Sequence, residues 1–391
     1  VELCRDVPAL AIDAWLQRAY VRANHGDRAG THADLAMVEA LSSERGEGTT
    51  LAAWMSAATI LSGVDPSAAE ERLRRLEPHL GRLSAERRLR WYGGAIRFAA
   101  RRGDHDRCRA LTEAAVTVAE EEGAPGDLAS AYVQRGTTRW FQGDVEGAAS
   151  DAALAAELSK GGPRWLQLVA CNNLAACAMH MLDWEVAHRS LSLAVLRSGG
   201  SGVSRRAAEI RLSGLERVMG RGPSGEGEVG GIGDDHWFLW PAQTGDLEGS
   251  VALVDQLARS GSRARDAFAQ GAAAEVYAAA GRWQDALAAV EIALAASPES
   301  SPERPLLVAV QAAALRAMDR RVTEPRALGP SPFIRASAEA WWAAHDALAG
   351  DVAAARSALA ALEVHLTSPW LTELSELAFR LRVARTLADG P

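Results

Sequence analysis

A chain of 391 residues with 48% hydrophobic and 24% charged side chains can bury a large core, and its formal charge of -8 leaves no global attraction to a phosphate backbone. Four cysteines (Cys4, Cys108, Cys171 and Cys177) sit at no metal-ligand spacing, which predicts buried thiols in a reducing, cytoplasmic compartment and no disulfide or zinc framework. No run of about eighteen apolar residues occurs and no basic-then-apolar leader opens the chain, so neither a membrane span nor a signal peptide is expected.

The chain opens on Val1 and enters repeat-like sequence almost at once, as a piece cut from a longer protein would. Alanine and leucine abound and β-branched runs are few, a composition that predicts packed helices throughout. The first recurring signal is a turn. Gly26-Asp27, Val64-Asp65, Gly103-Asp104 and Gly143-Asp144 follow one another at 38, 39 and 40 residues. The basic stretches between the early turns, Arg72 to Arg75 and Arg87 to Arg90, read as solvated helix faces.

From residue 129 the pattern tightens. The unit 129–158 places Tyr132, Gly136, Ala148, Ala152 and Ala155 where two antiparallel helices must approach closely, with Gly143-Asp144 as the turn. The unit 168–197 repeats this with Cys171, Ala175, Leu182-Asp183, Ala187, Leu191 and Ala194, and the unit 270–298 with Ala274, Tyr277, Gly281-Arg282, Ala286, Val290, Ala293 and Pro298. Gly350-Asp351 opens a further helix with Ala355, Leu359 and Leu362 at the same offsets.

Two places break the array. Residues 221–235 hold Pro223 and too many glycines for a helix, each costing about 1 kcal/mol against alanine, so a loop is expected there. Residues 323–332 hold Pro325, Gly329, Pro330 and Pro332, which should shorten or replace a second helix. A last helix over 370–388 reads as a terminal cap whose polar face (Glu373, Glu376, Arg380, Arg382, Arg385) meets solvent.

Chemistry-bearing motifs are weak. Gly225, Gly227 and Gly230 match a dinucleotide fingerprint in letters, but no strand precedes them and two glutamates lie among them. His180 and His188 flank a turn and so lie on different helices, which argues for structural or surface histidines over a metal pair. Asp234-Asp235-His236 reads as the cap of a following helix. No metal and no cofactor are expected.

The three tight units resemble the tetratricopeptide repeat superfamily, whose unit is two helices with small residues at the packing positions, an aromatic in the first and a proline after the second. The early spacings exceed its nominal unit of about 34 residues and match the looser repeats of the same superfamily. The resemblance implies an all-α fold, a right-handed solenoid of antiparallel helix pairs over 1–391: N-terminal repeats to 220, the glycine-rich loop, then C-terminal repeats and cap over 236–391. The alanine-rich helices with glycine-aspartate turns, such as 282–290, also resemble the repeat region of large actinobacterial ATP-dependent regulators of the LuxR and maltose-activator type. There the repeats sense a small molecule or protein between a nucleotide-binding module and a helix-turn-helix, neither of which is in this sequence.

In such a solenoid the first helix of each pair lines the concave face. In this frame those positions are Arg97 and Arg101, then Val133, Gln134, Thr137, Trp140 and Phe141, then Asn172, Asn173, Ala176, Met179 and His180. Amides, cations and aromatics side by side suit recognition of a peptide, a protein segment or a small effector, although the lysines of a carboxylate clamp are missing. The sequence supports ligand contact and simple capping equally for Asn172 and Asn173. Trp237 and Trp240, ahead of Pro241, are candidates for a short aromatic lid. The primary expectation is a non-enzymatic sensor within a transcriptional regulator, without direct nucleic-acid or membrane contact. Two alternatives stand beside it: an enzyme using His180, Asp234, Asp235 or His236 as acid or base, and a homo-oligomeric scaffold.

Overall fold

A computed structural model describes residues 8–390 apart from 103, 199–201, 222–238, 260–266, 298, 300, 324 and 374. The described residues hold α-helices, a few 3-10 turns and no strand. The chain divides into two compact units, Val1–Arg135 and Gly136–Pro391.

The first unit is built from α1 (Pro8–Asn24), α2 (Arg28–Ser43), α3 (Glu47–Leu61), α4 (Pro66–Leu76), α5 (Ala85–Arg101), α6 (His105–Glu122) and most of α7 (Pro125–Phe141). Pairs α1/α2, α3/α4 and α5/α6 pack as antiparallel hairpins. The aspartate of each predicted turn is the helix N-cap: Asp27, Asp65 and Asp104 accept from the backbone N–H groups of Gly30, Ala68 and Arg107 at 2.8, 3.1 and 3.0 Å.

The second unit begins within α7 and continues through α8 (Val145–Leu158), α9 (Arg164–His180), α10 (Trp184–Arg197), α11 (Gly202–Val218), the single turn α12 (Trp240–Gln243), α13 (Leu247–Arg259), α14 (Ala267–Ala279), α15 (Trp283–Ala296), α16 (Arg304–Ala317), α17 (Pro332–Leu348), α18 (Val352–Leu362) and α19 (Glu376–Asp389). Asp144, Asp183 and Asp351 cap α8, α10 and α18 in the same way. The glycine before the cap takes a left-handed backbone, with φ +79° at Gly143 and +86° at Gly350; Leu182 holds the same slot at +62° without that freedom. Gly245-Asp246 is a further turn of this kind, Asp246 accepting from Gly249 N–H at 2.8 Å. It was not among the turns expected from the repeat spacing.

The predicted small residues are where two backbones meet. Ala148, Ala155, Ala187, Ala194, Ala286, Ala293 and Ala355 are buried, and a Cβ on Gly136 would lie 3.2 Å from Asp151 Cβ and 3.3 Å from the Ala148 carbonyl oxygen.

No helix lies between α16 and α17 among the described residues, so the proline-bearing segment has replaced one as expected. The loop expected over 221–235 lies, from residue 222 on, outside the described residues. The terminal helix departs from expectation twice. It starts at Glu376, six residues late, because a 3-10 turn and an irregular stretch occupy 363–375, where Thr372 bonds back to Met219 and Gly220. Its polar face is also not solvated throughout: Glu376 and Arg380 are 1% and 4% exposed. Arg380 Nε and Nη2 donate to the two oxygens of Glu275 at 2.6 and 2.8 Å, and Nη2 donates to Glu376 at 3.1 Å. Ser337 and the Trp341 indole N–H complete the cluster. Burial would favour a neutral guanidinium, but the flanking carboxylates reverse this and raise the Arg380 pKa.

Candidate functional site

Within the second unit, the C-terminal half of α7 lies beside α9. Asn173 Nδ2 donates to Thr137 Oγ1 at 3.4 Å, a long bond between two groups at the surface. Phe141 is 45% exposed. Ala176 is exposed and Asn172 half-buried, and the Asn172 side-chain oxygen, out of reach of solvent, accepts no hydrogen bond. Thr137 and Asn173 thus meet between α7 and α9, with Phe141 exposed near the end of α7.

His180 does not line that face. It is 4% exposed, because residues 330–333, at the start of α17, pack over the ends of α7 and α9. Its Nδ1 is 3.1 Å from Ser331 Oγ, its Nε2 is 3.9 Å from Glu303 Oε1, and its ring meets the half-buried Trp140 edge to face at 4.4 Å. Phe333 stands 6.0 Å from His180 and 5.8 Å from Trp184, closing an aromatic cluster, while a Cβ on Gly143 would touch Pro330 at 3.8 Å.

Serine, histidine and glutamate in sequence of contact invite a hydrolytic reading, which the geometry opposes. Ser331 is 0% exposed and its hydroxyl caps α17, accepting from Ile334 N–H at 3.2 Å. A nucleophile needs an open approach and this hydroxyl has none. The cluster is a brace between α9, α16 and α17. Burial raises the Glu303 pKa, against a lowering bond from Ser301. A carboxyl with a raised folded-state pKa stabilises the fold below its unfolded pKa and loses that contribution as pH rises through the folded value. Glu303→Gln should therefore raise the melting temperature near pH 7, with the gain shrinking toward about pH 4. Destabilisation at neutral pH would instead make Glu303 the charged partner of His180.

The remaining predicted residues fall elsewhere. Arg97 is exposed on α5 in the first unit, and Gln134 packs on Gly93, one turn earlier on the same helix, with its side-chain oxygen buried and unbonded. The Arg101 and Trp240 side chains, Trp237 and the trio Asp234, Asp235 and His236 lie outside the described residues. His188 is apart from His180, 3.6 Å from Glu216 and 5.5 Å from the Trp370 ring.

Among the described residues no group of three His, Cys, Asp or Glu side chains could hold a metal, and no helix is long and apolar enough to cross a membrane. Cys108, Cys171 and Cys177 are free and buried. Burial pushes the Cys177 thiol up to about 12, with Asp151 adding to it. In a Cys4→Ser background, native protein should react negligibly with Ellman's reagent and release its remaining thiols only in denaturant.

One recurring device escaped the sequence analysis. Arg22 Nη1 donates to Asp34 at 2.9 Å and to the Gly30 carbonyl at 3.0 Å; Arg139 Nη1 donates to Asp151 at 3.0 Å and to the Gly147 carbonyl at 3.4 Å. Both pairs sit around a glycine-aspartate turn in the spacing Arg-x3-Gly-Asp-x6-Asp, so the signal was present in the letters. Asp34 and Asp151 are 0% and 1% exposed, and each clasp ties a buried carboxylate to the opposite helix of its own hairpin.

No protein-family model and no curated protein match the chain. Solved structures do. A Rap protein complexed with Competence and Sporulation Factor matches at 11% identity and TM-score 0.44, over 97% of this chain and 99% of that one. The apo form of RapI matches at 10% and 0.42, over 97% and 99%. The apo form of the quorum sensor NprR from B. thuringiensis matches at 11% and 0.47, over 93% and 100%.

Proposed function

We propose that the second unit is a recognition module that binds an extended segment of a peptide or partner protein across α7 and α9, without turnover. The observation that carries this is the exposed phenyl of Phe141 on α7 together with the Thr137 and Asn173 pair. A side-chain amide offers one donor group and one acceptor, the complement of a peptide bond, and the 3.4 Å bond to Thr137 is weak enough to exchange. Trp140 forms a half-buried wall beside this pair. Arg97, Arg101 and Gln134 are not part of this proposal.

Peptides selected by display on the purified chain should lose at least about tenfold in affinity, near 1.4 kcal/mol, with Asn173→Ala or Phe141→Ala, while the circular dichroism stays unchanged. Selected peptides that bind both variants as they bind the wild type would remove the site from this face. The repeat resemblance supports a place for the module as the sensing part of a larger cytoplasmic regulator. A native reading frame encoding neither an ATPase nor a helix-turn-helix beside this segment would end that part of the proposal.

A further inference from the structure

The first unit contains an open-mouthed pocket of about 230 Å³ lined by α4, α5 and the start of α6. Its floor is apolar. Leu73, Trp91, Phe98 and Leu111 are each under a tenth exposed, and the Trp91 indole N–H is already donated to the Leu73 carbonyl at 2.8 Å. The floor thus offers an entering group no polar partner, so the buried part of any occupant is hydrocarbon. At roughly 30 Å³ per water the space takes about eight non-hydrogen atoms, below the usual range for large cofactors.

The rim is different in kind. Arg74, Arg102 and Arg107 carry side chains 59%, 61% and 46% exposed. Arg102 donates to Glu70 at 2.6 Å, Arg107 to Glu77 and Arg74 to Glu71. The third acid of the lining, Asp104, is committed to the Arg107 backbone N–H. A guanidinium has five N–H donors, and these bonds use a minority of them, so the rim presents surplus donors to an entering carboxylate. Glu70, 22% exposed, lies deeper than Arg102 at 61%, so the cation is outermost at that point of the rim, while Glu77 and Arg107 are exposed alike at 44% and 46%.

We propose that this pocket binds a small monocarboxylic acid: an aromatic or branched hydrocarbon body rests on Trp91 and Phe98, and its carboxylate takes a forked bond from Arg102 or Arg107. Rearranging an exposed ion pair to admit a second carboxylate costs little, since such pairs contribute about 0–1 kcal/mol.

The test uses the full chain with 3-phenylpropionate and its uncharged amide as probes, followed by calorimetry. The acid should bind saturably at roughly 10⁻⁴–10⁻³ M, as befits so few atoms, and the amide at least about tenfold more weakly. Arg102→Gln combined with Arg107→Gln should bring the acid down to the amide's affinity and leave the amide unchanged. Ala95→Leu, on the half-exposed wall, should abolish binding of both while the far-ultraviolet spectrum is kept. Equal affinity for acid and amide would overturn the carboxylate recognition, and undiminished binding to Ala95→Leu would overturn the pocket itself. An acid that shows no saturation and no rise in the wild-type melting temperature up to about 10 mM overturns the proposal without recourse to any variant.

Discussion

Arg380→Ala is expected to lower the unfolding free energy by about 3–5 kcal/mol, the largest single effect in the second unit. The guanidinium is 3% exposed between two carboxylates that are 5% and 1% exposed, so its removal strands Glu275 and Glu376 in a dry interior with one positive charge fewer. The indole N–H of Trp341 stays on Glu275 but cannot neutralise it. Arg380→Lys should recover only part of the loss, because an ammonium cannot reach both Glu275 oxygens as the fork does. A triple replacement of Arg380, Glu275 and Glu376 by apolar residues of similar volume should be far milder than Arg380→Ala alone, since it leaves no orphan charge. Urea denaturation followed by circular dichroism measures all three, and a loss below about 1 kcal/mol for Arg380→Ala would mean that water reaches the cluster.

In the first unit the corresponding effect belongs to Trp91→Ala, at about 3–5 kcal/mol. Trp91 is 2% exposed, stands edge to face with Tyr92 at 5.3 Å and donates to the Leu73 carbonyl across the α4–α5 contact. Alanine loses the buried area, leaves a cavity and removes the bond. Trp91→Phe keeps most of the area and should cost about 1–2 kcal/mol, since the Leu73 carbonyl still accepts from the Glu77 N–H of its own helix. Near equality of the two variants in urea midpoint would show that the hydrogen bond, and not packing, carries the site.

The sequence was most legible where structure is local. An aspartate after a left-handed glycine caps the next helix within three residues, and an alanine five residues past the turn packs against the preceding helix, so both leave periodic traces. What stayed hidden acts over long separations. Glu376 and Arg380, four residues apart on a helix, have the appearance of a solvated surface pair, and only Glu275, 105 residues away, makes them interior. His180 belongs to the groove by repeat frame, yet Ser331, 151 residues on, covers it. Of the candidate face, the frame brought Thr137 next to Asn173, and it failed at His180, where a proline-bearing connection folded back. The Arg-x3-Gly-Asp-x6-Asp spacing is present in the letters, but the turns alone carry the repeat frame and do not point to it.

The bond between Ser331 and His180 changes what kind of mechanical object the second unit is. A stack in which each hairpin touches only its neighbours behaves as a spring, whose ends can part while every local interface survives. Here a contact spanning 151 residues pins α9 to the start of α17, with Glu303 and Phe333 bracing the same point. Separating α9 from the start of α17 must break that pin, so a segment bound as proposed would meet a face already braced at one end.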